Sequence, residues 1–559
     1  MEGYVYIGFV VVIAIVFAIQ SYRSNKEKQR RLNEYINKNY GAIPDRDYTE
    51  TEMNRIASLY RALKNTYEEN IDDITWNDLS MDEVFVNINN TYSSMGEEYL
   101  YMLLRTPREQ EELKEFDKMV SSFEKNEDNA KEIQKLLCQI GRSKKIGFFD
   151  FIHRLGDLGE RSNLVHYIQI VAFIAATAFL IVNPPIGVVF FIVSLAYNVI
   201  TYYRQKSVIE SYFICFKYLI NINIVSKKLE GLLSNDFEKY KADIKQINKN
   251  LQSLQKGLFL ISDGMTGSII EIIMDYLRMI FHLDIIKFNS MLTTTKAHME
   301  HIDALYLCIG RIEAAIAVAS YRKYLNNHYG YFASPDINYS LEKHINFNDI
   351  YHPLISEPVA NSIFEKQGVL LTGSNASGKS TFLKTVAINV ILSRTIFIAT
   401  ARNFEISPFR VYSSMSLRDD LKNNESYYIV EIKALKRIID AAGEEKPMIC
   451  FVDEVLRGTN TIERIAASSE ILKSLCKDNV ICFAATHDIE LTHILEMYYS
   501  NYHFEENVLD DDIKFNYILN KGRATTRNAI KLLKIIGYDD SIINAAKELA
   551  DNFMNTGSW

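Results

Sequence analysis

Three short stretches of this 559-residue chain carry side chains whose types and spacing could do chemistry. The first, Gly373-Ser374-Asn375-Ala376-Ser377-Gly378-Lys379-Ser380-Thr381, fits G-x-x-x-x-G-K-[ST], a turn whose backbone N–H groups cradle nucleotide phosphates. In such a turn Gly373 and Gly378 let the backbone curl, Lys379 neutralises the β- and γ-phosphates, and Ser380 places a hydroxyl on Mg²⁺. The second, Asp453-Glu454, closes the apolar run Ile449–Val452. There Asp453 would reach Mg²⁺ directly or through water, and Glu454 would orient or deprotonate the attacking water. The third is His487, which ends the apolar stretch 480–486 and would sit beside the γ-phosphate as a sensor. The chemistry implied is Mg²⁺-assisted hydrolysis of ATP or GTP; the spacing does not say what the hydrolysis drives.

These residues need particular elements to hold them. Val369-Leu370-Leu371 reads as a strand entering the glycine turn, and "KSTFLKTVAINVIL" as the helix leaving it. A chance match in a Gly-Ser loop would lack that strand–turn–helix context. With 9 prolines and 23 glycines the chain favours long helices over a β-sandwich. A formal charge of −8 gives no global pull toward nucleic acid. Six scattered cysteines without a C-x-x-C pair point to a reducing compartment, without disulfides or a zinc site.

Two regions are long and uncharged. Gly3–Tyr22 contains no Asp, Glu, Lys or Arg, and about 20 apolar residues cross a hydrocarbon core. No basic residues precede it and no A-x-A site follows, so an uncleaved anchor fits better than a signal peptide. "RSNKEKQRR" follows, placing this end in the cytoplasm by the positive-inside rule. Ser162–Tyr203 is also uncharged and is interrupted by "NPPIG" at 183–187. It reads as a transmembrane hairpin turning at that Pro-Gly stretch, the alternative being a buried helical pair in a soluble core. Arg154 and Arg161 before it, and Arg204 and Lys206 after it, put both ends inside.

The chemical set resembles the ATPase domain of the MutS family, the DNA mismatch repair proteins and their relatives. The family's G-x-N-x-x-G-K-S-T loop is matched by Gly373, Asn375 and Gly378 to Thr381. Its D-E-x-x-R-G-T-x-T strand is matched by Asp453, Glu454, Arg457, Gly458, Thr459 and Thr461, and its A-T-H by Ala485, Thr486 and His487. "DDLKNNESYYIVEI", 419–432, is similar to the D-D-L…S-T-F-M-x-E-M signature, whose serine reaches across a dimer to the partner's γ-phosphate. The resemblance implies that trans role for Ser426, with Glu431 in the same signature, and therefore a homodimer. "YHPL", 351–354, is similar to the segment near the adenine, which implicates His352. The closing segment implicates Tyr517 as the ring on the base, although the family's Tyr-Gly is absent there. Ile88, Asn89, Thr91, Gly96, Leu100 and Pro107 match the start of the family's core and lever domain, as a strand-like turn and a helix start.

The implied fold is an α/β P-loop (ABC-type) ATPase domain at the C-terminus, preceded by a mainly α-helical core and lever domain and transmembrane helices. The boundaries read as an anchor at 1–22, a basic helical linker at 23–75, a helical core at 76–161, the hairpin at 162–203, levers at 204–335, and at 336–559 the ATPase domain with a helical dimerisation segment. The resemblance thus implies a variant without mismatch-reading and clamp domains, the hairpin standing where relatives insert the clamp. The expected function is a membrane-anchored ATPase using ATP and Mg²⁺ in a dimer-spanning site, with the lipid bilayer and double-stranded DNA as partners. The other reading is an ATP-driven membrane switch acting on a membrane protein without nucleic acid. An ABC transporter fits less well, since three spans are few and no L-S-G-G-Q occurs.

Overall fold

The computed structural model describes residues 2–143, 147–234, 237–252, 269–339, 342–374, 377–415, 427–456, 460–509, 512–524 and 537–556. The chain divides into two compact units: residues 1–63, 89–102 and 119–320 form one, and 64–88, 103–118 and 321–559 the other. The N-terminal part is mostly helical and the C-terminal part mixed α/β.

The first unit contains the uncharged stretch as two helices, Leu164–Val182 and Pro184–Leu232. Both are long and apolar enough to cross a membrane. Only Asn183 lies between them. The Pro-Gly stretch read as a turn instead starts the second helix: Pro184 and Pro185 occupy its first positions, where a missing N–H costs nothing. At Gly187 a Cβ would lie 2.7 Å from Leu180 Cα, so the two helices close tightly there. The second helix then runs on for 49 residues, well past the hairpin. Val171, Ile181 and Ile200 are 65%, 87% and 67% exposed, so apolar side chains point outward along both helices. The first uncharged stretch lies in the helix Glu2–Asn39.

Buried charges anchor the rest of this unit. Arg55 pairs with Glu97 at 2.5 Å, Ser58 and Tyr306 donate to Glu98, and Glu313 accepts from the Tyr92 and Ser93 amides and from the Ser93 hydroxyl. Burial pushes Glu98 up to about 8 and Glu313 up to about 7. The segment expected as a strand-like turn is different in kind. Val84 to Ile88 belong to the helix Met81–Ile88, residues 89–93 are a non-helical link, and the helix Ser94–Arg105 follows. Asn89 donates to Tyr48 Oη and accepts from Thr91, so side-chain hydrogen bonds replace a strand's ladder.

The second unit holds two sheets. In the larger, the order is β10-β9-β4-β8-β7-β6, with β4 Gly368–Thr372, β6 Arg410–Ser414, β7 Met448–Asp453, β8 Val480–Ala485, β9 Tyr499–Leu509 and β10 Asp512–Lys521. All neighbours are parallel except the antiparallel edge pair β9–β10. β4, β7 and β8 are buried at every position, which is why they read as continuous apolar runs rather than alternating ones. Met448, Cys450 and Val452 of β7 and Val480, Cys482 and Ala484 of β8 share one core with Leu435, Ile438 and Leu472 of the flanking helices. The smaller sheet, β1-β5-β2-β3, comprises Asp336–Ile337, Asn403–Ile406, Ile345–Ile350 and Asn361–Glu365. Residues 64–88 join this unit through polar contacts at the edge strand β6. Thr75 Oγ1 accepts from Ser413 N, Asp78 accepts from Ser413 Oγ and Met415 N, and Arg437 pairs with Asp72. An otherwise open sheet edge is thereby covered.

Candidate nucleotide site

The carboxyl ends of β4, β7 and β8 lie side by side, and in open parallel sheets ligand crevices form outside those ends. A pocket of about 640 Å³ opens there. β4 leads into the glycine turn, and the helix Lys379–Thr395 leaves it, buried on nearly every side. Gly373 and Gly378 have φ of +146° and +105°, and a Cβ on either would crowd Ser377 and Phe504, or Tyr517. Glycine is therefore required at both positions. Lys379 Nζ donates to the carbonyls of Gly373 and Ser374 at 2.8 Å each. Ser377, Ser380 and Thr381 also line the pocket.

Ser380 Oγ donates to Asp453 Oδ2 at 2.6 Å. Two hard oxygen donors from the turn and from the end of β7 thus meet at the pocket, a donor set that suits Mg²⁺ completed by water and phosphate oxygens. Glu454 and His487, from the ends of neighbouring strands, approach at 2.5 Å between Oε1 and Nε2. The Glu454 amide donates to Ala485 O, locking these two strand ends together. Arg464 clamps Asp488, the residue after His487, with two hydrogen bonds.

The opposite wall holds His352, Ile355, Val359, Phe504 and Tyr517. Burial, with Lys384 adding to it, pushes His352 down to about 4. The Leu354 amide donates to its Nδ1, so the neutral ring carries its proton on Nε2. Tyr517 sits where the β9–β10 register slips. Asn361 holds that irregularity, donating to Tyr517 O and accepting from Leu519 N. Phe504 packs against Phe382 of the turn's helix at 5.9 Å.

The structure therefore lines one crevice with Ser377 to Thr381, Asp453, Glu454, His352 and Tyr517, while Gly373 and Ser374 bond to Lys379 and His487 touches Glu454 beside it. Asn375, Ala376, Ser426 and the Arg457-Gly458-Thr459 extension lie outside the described residues. Glu431, expected in a signature shared across a dimer, is buried and accepts from the Leu456 amide of its own chain. Sequence reasoning missed Ile355, Val359 and Asn361. They come from the smaller sheet and its approach, where no motif marks them.

A largely parallel α/β sheet, with a glycine turn and an Asp-Glu strand end facing one crevice at its carboxyl edge, defines the class of domain. Residues 369–554 match the family model for MutS domain V. The chain is 30% identical over 220 residues to the human MutS protein homolog 4, covering 36% of this chain and 23% of that protein. It is 28% identical over 236 residues to the DNA mismatch repair protein MutS of Clostridium perfringens, covering 39% and 26%. Over 185 residues it is 29% identical to the DNA mismatch repair protein MutS 2 of Haloarcula marismortui, covering 32% and 19%. The family shown is thus that of residues 369–554, which carry MutS domain V. The chain spans about a quarter of the length of these curated relatives.

Proposed function

We infer that this protein is a membrane-anchored ATPase of MutS type, binding and hydrolysing ATP with Mg²⁺ in a site completed by a second copy. The observation that carries the reading is the convergence of Lys379, the Ser380–Asp453 pair and Glu454 on one pocket, with His487 in contact with Glu454. Lys379 and the turn amides bind phosphates. Ser380 and Asp453 hold the Mg²⁺, which when bound neutralises charge developing on the phosphates. Glu454 takes the proton of the attacking water, and His487, touching Glu454, fixes that carboxylate's direction. Ser426 supplies the partner's contact, and His352 and Tyr517 flank the base.

The family relationship supports DNA as the partner on which turnover acts, since two of the relatives named above are DNA mismatch repair proteins. The outward apolar side chains of the hairpin helices favour a second reading, in which ATP closure re-packs membrane helices against a membrane protein. Phosphate release by the detergent-solubilised protein, with and without duplex, branched and mismatched DNA, separates the two. Lys379→Ala should abolish nucleotide binding, while Glu454→Ala should retain binding and lose turnover by about 100-fold or more. Normal hydrolysis by Glu454→Ala would remove Glu454 as the base. Turnover indifferent to DNA, with no salt-dependent binding, would remove DNA as the partner.

A further inference from the structure

We propose that Glu431 is a positioning residue that sets the shape of the loop carrying Glu454; this rests on reading the crevice as a hydrolytic nucleotide site. The chain leaves β7 at Asp453 through a sharp, left-handed path. Glu454 has φ +56° and Leu456 φ +59°. Side chains with a Cβ adopt this region at a cost, and a bulky leucine does so rarely. Such a conformation persists only where its surroundings over-determine it.

Among the described residues, hydrogen bonds from three neighbouring elements hold its backbone. From β8, Ala485 O accepts the Glu454 amide at 2.9 Å. From the helix Thr461–Ser474, Ser468 Oγ donates to Val455 O at 3.3 Å. From the helix Tyr427–Ala441, Glu431 Oε1 accepts the Leu456 amide at 2.5 Å. The first two are neutral hydrogen bonds, and the third is made by a carboxylate that is only 7% exposed. Burying a carboxylate is unfavourable unless it is well bound, and a charge-assisted bond is about twice as strong as a neutral one. The strongest of the three restraints thus falls on the amide two residues beyond Glu454. Glu431 also lies in the first turns of the helix that begins at Tyr427, the residue after Ser426 in the sequence. It therefore ties the helix that follows Ser426 to the loop carrying Glu454 within one chain.

Removing this acceptor weakens the hold on Leu456 N–H and lets residues 454–456 relax toward right-handed backbone. That turns the Glu454 carboxylate away from His487 but leaves Lys379 and the glycine turn in place. The consequence is specific: turnover falls and nucleotide affinity does not. In the full-length protein, Glu431→Ala should lower kcat about 10- to 100-fold with ATP Kd within about threefold of wild type. Glu431→Asp keeps the charge but withdraws the oxygen by one methylene, and should show a smaller loss of the same kind. Glu431→Gln keeps an acceptor oxygen but not the charge, and should recover only part of the loss, with ATP Kd again unchanged. Added to Glu454→Ala, Glu431→Ala should cost nothing further, because both act on one group.

Wild-type kcat in both Glu431→Ala and Glu431→Asp would overturn the proposal, as would a parallel loss of ATP affinity and kcat in Glu431→Asp. Should Glu431→Ala not fold, the Asp and Gln variants decide by the same split between kcat and Kd. A wild-type protein that binds ATP but never hydrolyses it would instead overturn the hydrolytic reading itself.

Discussion

His352 shows how one side chain's surroundings fix its chemistry. Buried, and with Lys384 nearby, its imidazole is pushed from the usual 6.5 down to about 4. It is therefore neutral at physiological pH and offers an Nε2–H donor to the pocket. A histidine with a depressed native pKa binds its proton more tightly when unfolded. The stability it contributes is therefore complete above about 6.5 and is lost as pH falls toward 4. At pH 5 that loss is roughly 2 kcal/mol relative to pH 7, taking about 1.4 kcal/mol per unit. Urea unfolding at the two pH values should show it, and His352→Gln, which cannot titrate, should lack that part of the difference. An unchanged difference in the variant would mean that the ring is solvated in solution.

At the scale of elements, the legible parts are those where spacing and burial agree. The glycine turn could be read because Gly373 and Gly378 stand at the positions where positive φ and close approach forbid a Cβ. β7 and β8 could be read because both faces are buried, which leaves no polar alternation to confuse the pattern. Other features depend on residues distant in sequence. Pro184-Pro185 looks like a turn but starts a helix, because proline suits a first helical turn as well as a loop. The walls at Ile355 and Val359, and the Glu431–Leu456 contact, exist only once sheets and helices have packed. The link at 89–93 is hidden from the sequence for the same reason. Its partners Tyr48 and Glu313 lie far off in the chain, and they hold it without any strand pairing. The helix that follows the link also gives a test. A Cβ on Gly96 would lie 2.2 Å from Glu313 Oε2, in a carboxylate site already filled by three donors. Gly96→Ala should therefore destabilise the protein by about 3 kcal/mol, combining overpacking with damage to a buried network. A thermal melt checks this, and a shift of less than about a degree would mean that Glu313 moves aside freely.

For the molecule as a whole, the open matter is what the hairpin's apolar surface faces. A soluble protein seldom leaves long rows of valine, isoleucine and phenylalanine outward, yet Leu164–Val182 and the first part of Pro184–Leu232 do so. A 19-residue helix is about 28 Å long at 1.5 Å per residue, close to a hydrocarbon thickness. Buried in a bilayer, those side chains have their natural solvent. In that placement the flanking Arg154, Arg161, Arg204 and Lys206 would keep both ends on the cytoplasmic side. Two variants test this together. A chain lacking residues 2–22 should still resist extraction by alkaline carbonate, since the hairpin alone holds it, and further removal of 162–203 should release it. Asn183→Cys, at the junction of the hairpin helices, should react with an impermeant maleimide from outside intact cells, while native Cys476, in the nucleotide-site unit, should react only after lysis. Release of the first variant by carbonate, or labelling of the Asn183→Cys thiol only after lysis, would place the hairpin outside the bilayer and return the apolar surface to a protein partner.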